Sequence, residues 1–134
     1  EASAAAGDRI YDLLPEEFRK GEPMGVNLAG NGIYTLAQYG ITQEQVNEFI
    51  CGVHEHLASK GVNVKFYRSG GQTGVDQAVG ALNEVFGVPV TVHAPKGYVF
   101  RGADGKDVKD ERLFKARFVP QMAETLKRKF RRGI

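Results

Sequence analysis

The chain has 134 residues, of which 42% are hydrophobic and 25% are charged, and its formal net charge is +2. The length fits one domain, and the composition is ordinary for a globular protein. The small net charge gives no support for nucleic-acid binding by the whole surface, and no apolar run approaches the roughly 18 residues of a membrane span. We therefore expect no membrane partner. The single cysteine, Cys51, excludes a disulfide within this chain, so we expect a cytoplasmic protein.

An N-terminal extension is predicted over residues 1–20, ahead of a single ligand-binding domain over residues 21–134. The alanine-rich start of the extension offers little to pack, so we expect it to be partly mobile. A short amphipathic helix or a pair of turns is predicted over residues 8–20, around Pro15. The apolar residues expected on its packed side are Ile10, Leu13, Leu14 and Phe18.

The next elements alternate between strands and helices. A strand is predicted over residues 26–29, running into a tight loop. A helix is expected to begin after Thr42, because Thr42 and Gln45 match a capping box in which each side chain satisfies a free backbone N–H group. Gly61 is the expected end of this helix. The apolar residues of its predicted buried face recur at helical spacing and are Val46, Phe49, Ile50, Val53 and Leu57.

A second strand is predicted over residues 62–67, because this segment alternates and is rich in β-branched and aromatic residues. A glycine-rich turn then leads into a helix over residues 75–86, and a third strand is predicted over residues 88–92. The inward residues expected on this helix are Val75, Val79, Leu82 and Phe86. The order strand, helix, strand, helix, strand indicates an α/β protein with a parallel sheet and right-handed crossovers.

A loop is predicted over residues 94–110, with Asp107 capping a last helical region over residues 111–131. Pro120 is expected to split this region in two. The second piece has an apolar stripe of Met122, Leu126 and Phe130. Positive charge is concentrated at this end of the chain, where five of the last eight residues are basic: Lys127, Arg128, Lys129, Arg131 and Arg132.

Three segments are expected to meet beyond the carboxyl ends of the strands, where open parallel sheets bind their ligands. They are residues 30–32, 69–74 and 95–97. Glycines let the backbone approach a ligand closely, and the free N–H groups at the start of the following helix attract an anion such as phosphate. The residues predicted to bind this ligand are Gly30, Asn31, Gly32, Ser69, Gly70, Gly71, Gln72, Thr73, Gly74, Lys96, Tyr98 and Arg101.

These residues also have a purely structural interpretation. A glycine pair makes tight turns in many loops, and Asn31 beside a glycine is ordinary turn chemistry. Lys96 and Arg101 suit the charge of a phosphate, and Tyr98 or Phe100 suits stacking on a base. The alternative is a solvated loop with one aromatic residue packed on the core.

Asp76 has two interpretations that do not exclude each other. It caps the helix together with Thr73, or it faces the ligand, as a hydrogen-bond acceptor for ribose hydroxyls or as the catalytic acid or base of glycosidic chemistry. The loop is not a P-loop, since no Lys follows Gly74, and its G-G-x-x-G spacing is not the dinucleotide fingerprint. No Cys or His spacing is typical of a metal site, so we predict no metal and no cofactor.

The run Ser-Gly-Gly-Gln-Thr-Gly-Val-Asp-Gln-Ala at residues 69–78 resembles a Rossmann-like superfamily, the SLOG or LOG-like proteins. This superfamily groups the LOG-type, lysine decarboxylase-like phosphoribohydrolases, the Rossmann domain of the DNA-processing A protein, and the molybdenum-carrier proteins. The molybdenum-carrier branch often has this run followed by Pro-Lys-Gly, here residues 95–97. The resemblance covers residues 26–107 and implies a Rossmann-like three-layer sandwich with a short parallel sheet and flanking helices.

The resemblance also implies a function. LOG enzymes carry Pro-Gly-Gly-x-Gly-Thr-x-x-Glu, whose Glu acts on the N-glycosidic bond of a nucleoside monophosphate. Gly70 and Gly71 match the paired glycines, Asp76 falls one place before that Glu or beside it, and Thr73-Gly74 stands where the family has Gly-Thr. Members of the superfamily commonly bind nucleotides or nucleotide-derived signals and form dimers, so a homo-oligomer is implied.

Three functions therefore stay open from the sequence. The first is a sensor or sequestering protein that binds a nucleotide-derived, phosphate-bearing small molecule at the glycine-rich loops. The second is a nucleotide N-glycosidic hydrolase that uses Asp76. The third is a nucleic-acid-binding protein that uses the basic C-terminal end, for which the alternative is a solvated helix end whose cations favour the helix dipole.

Overall fold

The computed structural model describes residues 2–130 of the chain. The helices of this part are α1 (Ala2–Leu13), α2 (Glu16–Arg19), α3 (Ile33–Ala37), α4 (Gln43–Ser59), α5 (Val79–Phe86), α6 (Glu111–Ala116) and α7 (Ala123–Phe130). The strands are β1 (Pro23–Asn27), β2 (Asn63–Ser69), β3 (Val90–Val92), β4 (Val99–Arg101) and β5 (Asp107–Lys109). Two short 3₁₀ turns, Asp76–Ala78 and Lys96–Tyr98, precede α5 and β4.

The sheet is parallel, with β2 between β1 and β3, and β4 and β5 form a separate antiparallel hairpin. Both connections in the parallel sheet step in the same direction, so right-handed crossovers put α4 and α5 over the same face. The predicted α/β class with a short parallel sheet and flanking helices is confirmed and is consistent with a Rossmann-like sandwich. Within residues 2–130, the helices are all too short or too polar to cross a membrane.

The main core lies between this face of the sheet and helices α4, α5 and α7. Its buried residues are Cys51, Tyr67, Val79, Ala81, Leu82, Val85, Val88, Leu126 and Phe130. Complete burial of a Val or Leu side chain stabilises the fold by about 1.5–3 kcal/mol. The predicted inward positions of the second crossover helix are confirmed at Val79 and Leu82, which have no exposed surface, while Phe86 and Val75 are half-buried.

The opposite face of the sheet is open to solvent in the described chain. Its residues are Gly25, Asn27, Phe66, Arg68 and Thr91. The ring of Phe66 lies over Gly25, where a side chain would have no room. Strands covered on both faces read as nearly continuous hydrophobic runs, so the polar residues on this face match its exposure. Both edges of the sheet carry a proline, at the first position of β1 and directly before β3.

The N-terminal helix begins earlier than predicted and packs through a partly different set of residues. Ala2–Leu13 is one helix because alanine has the highest helix propensity, and Gly7 lets it approach α4 until it touches His56. Leu13 is 83% exposed and Ile10 is also exposed, so the predicted apolar side is wrong at both positions. Leu14 packs against the core as predicted, together with Ala6 and Tyr11, which were not predicted.

The segment predicted as a loop over residues 94–110 contains the hairpin of β4 and β5. Val99 pairs with Lys109, and the side chain of Arg101 forms an ion pair with Asp107 at 2.8 Å. The prediction that Asp107 caps the next helix is therefore wrong. Asp110 caps this helix instead, by accepting a hydrogen bond from the N–H of Leu113 at 2.8 Å. The sequence has no alternation long enough to reveal strands of three residues.

Other elements differ from the prediction mainly at their ends. The capping box of α4 is confirmed, with Thr42 and Gln45 exchanging hydrogen bonds at 2.9 and 3.1 Å. Helix α3 was not predicted. Phe49 and Met122 are exposed, against expectation, because α4 and α7 each turn only part of their apolar stripe to the core. The last helical region is split, as predicted, around Pro120.

A buried histidine lies in this core. The Nδ1 atom of His54 is 2.7 Å from the hydroxyl of Tyr67, and its ring centre is 4.6 Å from that of Phe86. Burial lowers the pKa of His54 from 6.5 to about 4. The folded protein therefore holds a neutral imidazole at a pH where an exposed histidine would be charged.

This pKa predicts a specific loss of stability in mild acid. As the pH falls from 6.5 toward 4, the unfolded chain binds a proton at this position and the folded chain does not, so the free energy of unfolding decreases by up to about 3 kcal/mol. Urea unfolding between pH about 7 and about 4.5 measures the effect. We expect His54→Gln to flatten this dependence and His93→Gln, an exposed control, to leave it unchanged. An identical pH dependence in His54→Gln would contradict the prediction.

Candidate functional site

The glycine-rich loop after β2 closes tightly on the loop after β1. Gly71 and Gly74 have φ angles of +82° and +76°, which side chains rarely adopt. A Cβ atom at Gly74 would collide with the carbonyl oxygen of Asn31, and one at Gly71 would lie 2.6 Å from the ring of Phe114. Both glycines are therefore required by packing and conformation, whether or not a ligand binds.

Thr73 joins the glycine-rich loop to the start of α3 and to β4. Its hydroxyl accepts a hydrogen bond from the N–H of Ile33 at 3.0 Å and donates one to the carbonyl of Arg101 at 2.8 Å. The N–H of Val75 adds a bond to the carbonyl of Asn31 at 3.1 Å. The predicted meeting of residues 30–32 with residues 69–74 is thus observed, but their third partner is the hairpin of β4 and β5 and not residues 95–97, as was expected. Thr73 does not cap the following helix, because its hydroxyl is used between segments.

Two glutamine side chains hold the loop from either side. Gln43 of α4 makes a two-bond pair with Gly74, accepting from its N–H at 2.7 Å and donating to its carbonyl at 2.9 Å. Gln72 pairs in a similar way with β4, through the carbonyl of Val99 and the N–H of Arg101, both at 3.4 Å. Each side-chain amide thus bonds a backbone N–H and a backbone carbonyl, as the peptide groups of a neighbouring strand would do. Gln43 was missed from the sequence, where it counts only as the first residue of a helix.

Asp76 turns back into the glycine-rich loop. Its carboxylate accepts a hydrogen bond from the N–H of Gln72 at 3.3 Å, and the residue is only 8% exposed. The negative charge at the start of this helical segment is therefore supplied by the chain itself. Neither of the two helical segments that follow has a side-chain cap, so the capping interpretation of Asp76 is wrong: its carboxylate holds the loop ahead of the helix. The catalytic role of Asp76 stays a prediction.

Arg117 of the segment after α6 supports the loop from behind and was not predicted. Its guanidinium donates to the carbonyl of Gly71 at 2.6 Å and to the side chain of Gln77 at 2.7 Å. It also lies 4.3–4.9 Å from the ring centres of three phenylalanines, Phe100, Phe114 and Phe118. Burial lowers the pKa of Arg117 to about 10, and the negative charge of Asp76 partly offsets this effect.

A cleft of about 350 Å³ opens where the glycine-rich loop meets the loop after β1 and the hairpin of β4 and β5. It is lined by Gly32, Tyr34, Thr35, Gln72, Thr73, Val99, Arg101 and Asp107. Four predicted ligand-binding residues, Gly32, Gln72, Thr73 and Arg101, belong to this lining, and Tyr34 was missed because α3 was not predicted. The remaining predicted residues do not line it, although Gly30, Asn31 and residues 69–71 and 74 belong to the loops that frame it.

Lys96 and Tyr98 lie away from the cleft. Tyr98 has a positive φ of 54°, and its ring packs edge-on against Phe114 with the centres 5.6 Å apart. Lys96 is exposed on the 3₁₀ turn before β4. The structural interpretation of this turn, an aromatic residue packed beside a solvated loop, describes the observed arrangement.

The basic C-terminal segment is largely paired in its described part. Lys127 lies 3.5 Å from Glu84 and 3.4 Å from Glu124, and Lys129 contacts Glu48. Arg131 and Arg132 lie outside the described residues. No group of three or more His, Cys, Asp or Glu side chains that could hold a metal ion occurs in residues 2–130.

Comparison of the chain with protein-family models, with curated proteins and with solved structures finds no match. The site is therefore interpreted from its own geometry.

The loop closure predicts unequal effects of two alanine substitutions. Gly74 and Gly97 have nearly the same φ, +76° and +78°, but only Gly74 is crowded. Gly97→Ala should cost about 1 kcal/mol for the backbone conformation alone. Gly74→Ala should cost about 1–3 kcal/mol more, because the new methyl group must displace backbone. Equal losses in urea unfolding would show that the loops do not depend on this close approach.

The support by Arg117 predicts a second difference. Arg117→Met keeps an apolar side chain against the phenylalanines but leaves the carbonyl of Gly71 without its donor, which should cost at least about 2 kcal/mol. Arg112→Met, on the exposed side of the same segment, should change stability by less than about 0.5 kcal/mol. Thermal unfolding of both variants measures the difference, and similar midpoints would contradict it.

Proposed function

We propose that this protein binds a nucleotide-derived, phosphate-bearing small molecule in the cleft between the loop after β1, the glycine-rich loop and the hairpin of β4 and β5. The observation that carries the proposal is the cleft itself, built where the three segments meet beyond the ends of β1 and β2. Its volume, about 350 Å³, lies within the range of small-molecule sites.

Arg101 supports the phosphate part of the proposal. Its side chain is half exposed at the cleft and uses only Nε and one terminal nitrogen on Asp107, at 2.8 and 3.4 Å. A guanidinium has five N–H donors, so donors remain for a phosphate oxygen. The bound Asp107 holds the guanidinium in place and raises the pKa of Arg101, so the cation persists at every physiological pH.

Tyr34 supports the nucleotide part. The residue is 42% exposed, and one edge of its ring packs against Gly105 in the turn of the hairpin. The contact is so close that a Cβ atom added to Gly105 would lie 2.8 Å from the ring. A fixed, half-exposed aromatic ring beside a cation suits a ligand that combines a planar base with a charged group. The rigid hydrogen bonds of Thr73 and Gln72 behind it favour binding without rearrangement.

Thermal unfolding with a panel of ligands tests this function. The panel contains nucleoside monophosphates, cyclic nucleotides, ADP-ribose and inorganic pyrophosphate. A ligand at 100 times its dissociation constant should add about 2.7 kcal/mol to the free energy of unfolding. We expect at least one nucleotide to raise the midpoint, and Arg101→Gln to remove most of that increase.

The control is Lys106→Gln, which removes a positive charge from the same hairpin outside the cleft lining. It should leave the increase unchanged. If no member of the panel raises the midpoint, or if both variants reduce the increase equally, the cleft is not the site. Glycine variants are poor probes, since the packing of Gly71 and Gly74 ties them to the fold.

An activity assay with a nucleotide found in this way distinguishes a binding protein from a hydrolase. Incubation followed by chromatography measures release of the free base. Turnover that disappears in Asp76→Asn while binding remains would replace the binding function by the enzymatic one. The superfamily relationship, the homo-oligomer and the nucleic-acid alternative stay predictions.

A further inference from the structure

A second cavity, of about 370 Å³, lies on the other side of β4 from the cleft. Phe100 points into this cavity, whereas Val99 and Arg101 line the cleft. Most of its wall is apolar, with Phe100, Val108, Leu113 and Pro120 among its residues. The two sites therefore share a strand but no lining residue.

One polar group in the wall is oriented by the glycine-rich loop. The N–H and carbonyl of Gly74 fix the amide of Gln43, which then donates through Nε2 to the Oδ1 atom of Asn47 at 3.0 Å. The Nδ2 atom of Asn47 is thereby turned away from Gln43. Asn47 is only 4% exposed, and within residues 2–130 its Nδ2 group has no hydrogen-bond partner.

A second polar group stands one turn earlier on the same helix. Glu44 is half-buried at the cavity, and its carboxylate has no hydrogen bond or ion pair with the described residues. Residues three apart lie on one helix face, so Glu44 and Asn47 present an acceptor and a donor side by side. Within residues 2–130, the buried side-chain atoms without a partner do not include Nδ2 of Asn47, so this group keeps contact with solvent at the cavity and is available to a ligand.

We propose that this cavity binds a neutral, planar nitrogen heterocycle that carries an amino group beside a ring nitrogen, the arrangement found in adenine and cytosine. The ring nitrogen accepts from Nδ2 of Asn47, the amino group donates to Glu44, and the ring lies among the apolar residues. We expect the ligand to be neutral because the charges of the cavity wall balance: its charged residues are Glu44 and Arg117. This proposal does not rest on the proposed function, because it needs neither a phosphate nor the cleft.

Calorimetric titration with adenosine and cytidine, which have no phosphate, tests the site. Asn47→Asp keeps the acceptor for Gln43 and removes the Nδ2 donor, and Glu44→Gln removes the carboxylate. Each should weaken binding of the better nucleoside at least tenfold. Asn63→Asp, the same change at an exposed amide on β2, should leave the affinity within twofold.

Two further measurements keep the test decisive if Asn47→Asp does not fold. N6,N6-dimethyladenosine lacks the amino hydrogens and should bind at least tenfold more weakly than adenosine to the unaltered protein. Ala116→Leu, which fills the cavity from an exposed position, should abolish binding. The proposal is overturned if neither nucleoside binds, if the dimethylated nucleoside binds equally well, or if Ala116→Leu binds like the parent. An effect of Arg101→Gln on nucleoside binding would assign the nucleoside to the cleft instead.

Discussion

The contact between the backbone of Gly74 and the carbonyl of Asn31 is the constraint on which the rest of the site depends. Because Gly74 has no side chain, the loop after β2 can lie directly on the loop after β1, and the N–H of Val75 reaches Asn31. Thr73 is then held where its hydroxyl bridges Ile33 and the β4 strand. The cleft lies where these loops meet the hairpin, and the second cavity lies on the other side of β4.

The loop is stabilised mostly by side chains that imitate backbone. Gln43 and Gln72 each offer one donor and one acceptor in the geometry of a peptide group, and Arg117 satisfies the carbonyl of Gly71. Such bonds contribute about 1 kcal/mol each, but leaving a buried partner unpaired costs more. A loop held by several such pairs is expected to be rigid. Rigidity favours binding, since little conformational entropy is lost when a ligand enters.

The sequence predicts the framework of this molecule well and the details of its site less well. Strand and helix order, the α4 capping box and the meeting of the glycine-rich loops follow from local patterns that need no tertiary information. Arg117 could not be found, because its role depends on three phenylalanines from β4, α6 and the segment after it. Tyr34 and the β4–β5 hairpin were missed because helices and strands of three to five residues leave no periodic signal. Lys96 and Tyr98 were assigned to the ligand from their residue types and their place after the third strand, and neither determines on which side of a turn a residue lies.

The two margins of the sheet have a consequence for behaviour at high concentration. An exposed strand edge is a template on which another chain can add a strand and begin an aggregate. Here Pro23 opens β1 at one edge, and β3 at the other edge is only three residues long. A proline cannot donate to an added strand, and three residues offer few bonds to one. The small sheet can therefore keep a polar open face without its margins recruiting further chains into fibrils.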